Sequence, residues 1–231
     1  MSYYIDLEKI SIDNYRKKLE TGYLPPSRMI LKERLDERFG YFKSLGIKNI
    51  HELLKVLEKK DTLSDLQKAD CFSMDYLAIL LRELNSLLPK PNRIKDFPGI
   101  SQETIVKLEN IGIKNTLKLY DRVIDPEARK KLEQEAGIDD AIAMELTKLT
   151  DLSRIRWVGT TFARILYELG VDTVEKMTQS DPVDLHARVN QFIKGKNIYK
   201  GQIGLNDIRI LVDVAKDIPL DIKYESTPKS L

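Results

Sequence analysis

The chain has 231 residues, 42% of them hydrophobic and 32% charged, with a net charge of +2. That composition describes a folded protein with room for one or two cores, and it argues against a disordered chain. Near-neutral charge excludes a general polyanion binder, so any nucleic-acid affinity has to come from local patches.

From the N-terminus, MSYYIDLEKI carries acidic residues and no apolar run of signal-peptide length. No later segment approaches the roughly 18 apolar residues of a membrane span, so a cytoplasmic location and no membrane partner are expected. The single cysteine, Cys71, excludes an internal disulfide framework and reads as a small buried hydrophobe. His51 and His186 lack a ligand-spaced partner and read as ordinary surface or core histidines.

Along the rest of the chain, apolar residues recur at helical spacing, as at Phe162, Ile165, Leu166 and Leu169, and strand-like alternation is nearly absent. Asp125-Pro126 and Asp181-Pro182 each set a capping carboxylate before a proline at the first helical position. Helix ends fall at Gly46, Gly112 and Gly170, just past an apolar stripe.

These glycines close three ungapped copies of one degenerate segment, Leu31 to Ile47, Phe97 to Ile113 and Ile155 to Val171. The register continues beyond them as GIKNIHELL, GIKNTLKLY and GVDTVEKMT. The spacings, 66 and 58 residues, suggest about four short helices per unit. The expected fold is all-α, a tandem array of three degenerate repeats. Residues 1–30 form an N-terminal helical extension, 31–92 the first repeat, 93–154 the second, and 155–231 the third with a C-terminal helix. The Pro89-Lys90-Pro91-Asn92 stretch is the expected boundary, with flexing between two lobes, and the tail from Pro219 is expected to fray.

The second and third copies follow the logic of a helix-hairpin-helix unit, an apolar residue and a glycine-bearing turn leading into a helix with a small residue and leucine on its inner face. Such a turn brings main chain close to a phosphate, and the following helix offers unpaired amides and the positive end of its dipole. The second turn is Phe97-Pro98-Gly99-Ile100-Ser101, with Ser101 as cap; the third is Ile155-Arg156-Trp157-Val158-Gly159, with Thr160 or Thr161 as cap. The first copy, Leu31-Lys32-Glu33-Arg34-Leu35, has lost both glycines and reads as a helix that keeps only the packing half of the motif. Trp157 is expected to pack under the next helix, stacking on a base or docking a partner being the alternative.

The run Asp151 to Phe192 resembles domain of unknown function family 4332, and the likeness continues through Ile203-Gly204-Leu205-Asn206-Asp207 to Lys216 with an echo in the second repeat, about two thirds of the chain. The resemblance implies an all-helical helix-hairpin-helix array related to versions in DNA repair and polymerases, with a nucleic-acid role and no fixed reaction. Gly159 and Ala163 match the family's turn, and Trp157 departs from it.

The candidate nucleic-acid-binding residues are therefore Gly99, Ile100 and Ser101, then Arg154, Arg156, Val158, Gly159, Thr160, Thr161 and Arg164, and the lysines Lys194, Lys196 and Lys200. The Lys194–Gly201 stretch also reads as a solvated loop between helices. Local charge from Arg93 to Lys114 is only about +1, and the segment from Asp121 to Asp151 is acidic, about −4. No metalloprotease, nucleophile-elbow or dinucleotide motif occurs, so neither an enzyme nor a cofactor is expected. Two readings remain: weak, salt-dependent, sequence-independent binding of DNA or other nucleic acid through three or four phosphates, falling roughly as the third power of salt, or a helical protein-protein interaction scaffold without nucleic-acid binding.

Overall fold

A computed structural model describes residues 2–196 and 202–225. The described residues are helical, with no extended strand among them. The chain divides at Pro89 into two compact units. The first holds α1 (Ile12–Thr21), α2 (Leu35–Ser44), α3 (Ile50–Leu57), α4 (Lys60–Leu66) and α5 (Met74–Asn85). The second holds α6 (Gln102–Asn110), α7 (Thr116–Val123), α8 (Pro126–Ala136), α9 (Asp140–Leu152), α10 (Thr160–Glu168), α11 (Val174–Gln179), α12 (Pro182–Lys196) and α13 (Leu205–Ala215).

One joint recurs three times. The glycines after α2, α6 and α10 are left-handed, with φ of +81° at Gly46, +81° at Gly112 and +76° at Gly170. The next residue's amide then reaches back five positions, Ile47 to Phe42 O (3.2 Å), Ile113 to Leu108 O (2.9 Å) and Val171 to Leu166 O (3.0 Å). This satisfies carbonyls that the helix end leaves open and reverses the chain. Three residues past each glycine a side chain caps the following helix: Asn49 accepts from the Glu52 amide, Asn115 from Lys118 and Thr173 from Lys176.

The joint is also tied to the chain that precedes it. Ile50 N bonds Ile10 O (3.0 Å), and Thr116 N bonds Asn92 O (2.9 Å), each inside a two-residue antiparallel bridge. The N-terminal segment shares the core of the first unit: Ile12, Tyr15 and Leu19 of α1 lie in the same cluster as Phe39, Phe42 and Ile50. The first turn also departs from a plain helix. A 3-10 helix, Pro26–Lys32, ends at Glu33, and Arg34 at φ +48° turns the chain into α2, so a left-handed corner survives without its glycines.

In the second unit α9 packs on α7, α8 and α10, while α13 packs on α11 and α12. Leu146, Leu149, Leu152 and Ile155 give this unit a continuous buried ridge leading into the third turn. The C-terminal segment does not fray over the described residues. Arg129 donates to Lys223 O and Tyr224 O (both 2.8 Å), Arg154 to Pro219 O (2.8 Å), and Lys223 N to Ile124 O (2.8 Å), strapping residues 219–225 to the helices.

The glycine joint is testable within the first unit. A Cβ on Gly46 would meet no atom within 4 Å, so Gly46→Ala pays left-handed backbone strain alone and should cost about 1 kcal/mol. Gly40, exposed inside α2 and also without neighbours, should gain about 1 kcal/mol as Gly40→Ala. Urea unfolding of the two variants should shift in opposite directions.

Candidate functional site

The second and third turns have the same geometry despite different sequences. Phe97 and Ile155 are buried (3% and 0% exposed) and anchor each turn from below. The residue two positions on is left-handed in both, Gly99 at φ +88° and Trp157 at φ +69°. The next amide closes the turn, Ile100 N to Phe97 O (3.5 Å) and Val158 N to Ile155 O (3.1 Å). Gly99, Ser101, Gly159 and Thr161 are exposed, Ile100 and Thr160 half-buried, and Val158 buried. Trp157 therefore keeps the corner that glycine makes in the second turn.

The two helix starts differ in how far they are capped. Ser101 Oγ accepts from Thr104 N (3.1 Å), as expected of a cap, and shares a hydrogen bond with Thr104 Oγ1 (2.9 Å). In α10 the cap position belongs to Gly159, and no side chain caps it. Thr160 and Thr161 are the first two helical residues, not caps, which corrects the expected assignment. The first amides of α10 are thus offered no cap side chain, at the end where the helix dipole is positive.

Two contacts bring the turns together. Asn92 Nδ2 donates to Ser153 Oγ (2.9 Å) and to Val158 O (3.1 Å), stitching the chain before the second turn to the backbone of the third. The Arg164 guanidinium of α10 lies 3.4 Å from the place a Cβ on Gly99 would occupy. Gly99 is therefore required twice, by its left-handed φ and by the close approach of Arg164.

The cationic residues are placed less favourably than their proximity in sequence implies. Arg154 is a correction: its side chain is fully buried, donating to Asp151 Oδ1 (2.9 Å) and Pro219 O and lying over the Tyr120 ring, so it reaches no phosphate at the surface. Arg156 is buried as well (7% exposed), its guanidinium 4.3 Å from the centre of the Trp157 ring. Arg164 is held by Glu145 (2.5 Å) and Glu168 (3.6 Å), which offset its charge beside Gly99. Lys194 and Lys196 are exposed in the last turn of α12, and Lys200 lies outside the described residues. Trp157 is a second correction: it is 42% exposed and not packed away under α10.

Asp151 is the residue that sequence reasoning missed. In the third repeat its Oδ2 accepts from Val174 N (2.8 Å), standing where the first two repeats use a backbone carbonyl. The same oxygen accepts from Tyr224 OH (2.7 Å), and Oδ1 from Arg154. Burial, then the Asp151 charge, pushes the Tyr224 hydroxyl well above its ordinary range. Burial likewise raises Tyr120, to about 12.

Elsewhere, an acidic groove beside α7 and α8 is lined by Asp121, Asp125, Glu127 and Glu135 with Arg122 and Lys131. His51 faces Glu8 (3.6 Å) at the surface, His186 Nε2 contacts Ile203 O (3.0 Å), and Cys71 is buried. Among the described residues no cluster of three His, Cys, Asp or Glu side chains is placed to hold a metal, and no helix is long and apolar enough to cross a membrane.

Fold and site together define an all-helical protein of repeated glycine-closed helix pairs, with two paired, surface-facing turns in its second unit. Residues 98–218, just over half of the chain, match the family described as Domain of unknown function (DUF4332), and the chain belongs to that family. The matched region begins at the second turn and spans the third. No curated protein and no solved structure matches the chain.

The Asp151 hub makes a pH prediction. Folding keeps Tyr120 and Tyr224 protonated where the unfolded chain starts to ionise, near pH 10. Their contribution is full below that pH and is lost as pH rises above it. Tyr224→Phe should cost about 2 kcal/mol at neutral pH, the value of a hydrogen bond to a charged acceptor. It should also flatten the alkaline decline, which denaturant melts at neutral pH and above pH 10 measure.

Proposed function

We propose that the protein is a non-enzymatic, cytoplasmic nucleic-acid binder whose helix-hairpin-helix turns hold the DNA backbone without reading its sequence. The observation that carries this reading is the start of α10. Its first amides emerge at the surface with no side-chain cap, beside a second turn whose helix start, past Ser101, is also exposed. Unpaired amides at the positive end of a helix dipole are an anion site suited to phosphate. Contacts of this kind position a backbone and carry no base information.

The burial of Arg154 and the pairing of Arg164 reduce the cationic contribution. With those cations withdrawn, few charges remain to release counterions from phosphate, so the affinity should fall with salt less steeply than the third power expected from the sequence. The alternative, a helical protein-protein interaction scaffold, draws on the acidic groove at Asp121, Asp125, Glu127 and Glu135. That surface repels phosphate and suits a basic polypeptide.

Titration with generic DNA at low salt should shift the amide signals of Gly99, Ile100, Thr160 and Thr161. Gly159 has φ −82° and open space around it, so Gly159→Glu fits without strain and places a carboxylate where the phosphate would sit. Its charge also favours the helix start. The variant should bind DNA about ten-fold more weakly, near 1.4 kcal/mol, with undiminished thermal stability. Spectra unchanged by DNA at low salt would remove this reading in favour of the scaffold.

A further inference from the structure

We infer that residues 219–225 form a latch that opens as a unit while the rest of the fold persists, and that its opening releases, through Asp151, the joint that starts α11. This does not depend on the nucleic-acid reading above. The three joints differ in how they are tied. In the first two, the residue that opens the next helix donates to a main-chain carbonyl, Ile50 N to Ile10 O (3.0 Å) and Thr116 N to Asn92 O (2.9 Å). Such a tie lasts as long as the backbone around it stays folded. In the third, Val174 N donates to the Asp151 carboxylate (2.8 Å), and the same oxygen accepts from Tyr224 OH (2.7 Å). The third joint therefore shares its acceptor with the segment that follows α13.

That segment is held by long-range contacts. Residues 219–225 lie outside helix and strand, with Leu220, Lys223 and Glu225 exposed and Ile222 buried as an apolar anchor. Arg129 donates to Lys223 O and Tyr224 O, Arg154 to Pro219 O, Tyr120 OH to Asp221 Oδ2 (3.3 Å), and Lys223 N to Ile124 O. Because Arg129 grips two successive carbonyls, freeing one loosens the other, and the segment lets go together. Irregular segments with few buried anchors open below the free energy of global unfolding. With the latch closed, Asp151 is 4% exposed, and its charge is compensated by Val174 N, Tyr224 OH and Arg154. Opening withdraws the tyrosine and admits water to the shared oxygen. Water then competes with Val174 N for the carboxylate, and the tie at the start of α11 weakens.

Amide hydrogen exchange of the full chain, followed residue by residue in rising sub-denaturing urea, tests the latch. The Lys223 amide reports on the latch, Val174 on the third joint and Thr116 on a joint tied to backbone. Lys223 and Val174 should exchange through one shared opening with a shallow urea dependence. Thr116 should exchange more slowly and with the steep dependence of global unfolding. Tyr224→Phe should speed exchange at Lys223 and Val174 by the same factor, about thirty-fold for a hydrogen bond to a charged acceptor. Ile222→Ala loosens the latch through a side chain that makes no bond to Asp151, and should again speed both amides equally, by about ten-fold or more. One common urea dependence for all three amides overturns the latch, since it then opens only with the whole unit. Val174 following Thr116 while Lys223 opens early, or Val174 unmoved by Ile222→Ala, overturns the coupling through Asp151.

Discussion

The fold depends on a backbone reversal at a left-handed glycine. At Gly46, Gly112 and Gly170 the helix ends with an amide reaching back five residues, and a capping side chain three residues later starts the next helix. Both ends of the joint have their polar groups paired locally, so the short connection costs little and fixes the direction in which the next helix leaves. Repetition of this joint sets the apolar faces of successive short helices toward the core of the unit they belong to. Eight- to ten-residue helices of this kind are marginal by themselves and owe their stability to that packing.

The third repeat departs from the pattern, and the departure shapes the surface. Where the first two repeats tie the joint to a backbone carbonyl, the third uses the Asp151 carboxylate. A buried charge has to be compensated, and Arg154 and Tyr224 supply the compensation. Arg154 is thereby drawn inside and the segment 219–225 is drawn down, with Arg129 binding its carbonyls. A side chain that sequence proximity places near the third turn serves the interior.

The surface that remains around the two turns is consequently built from main chain more than from cations. Asn92 holds one turn to the other, and Arg164 fills the space above Gly99 while answering to Glu145 and Glu168. Amides at a helix start attract anions without demanding a particular sequence, and their strength is limited by the fraction of a charge that a helix dipole presents. This is consistent with a protein whose net charge is only +2.

The sequence by itself determined the elements whose causes are local. Helical periodicity, the Asp125-Pro126 start and the glycine stops all follow from interactions within a few residues, and they stand in the structure at the expected positions. The family likeness was legible as a resemblance of the run Asp151 to Phe192 and its continuation to Lys216, within the matched residues 98–218. Tertiary structure alone decided what depends on residues far apart in the chain. It put Arg154 inside through Asp151 and Pro219, turned Trp157 outward on a left-handed corner, and bound a tail that composition marks as loose. A side chain's exposure and the pairing of its charge are set by neighbours that periodicity does not name.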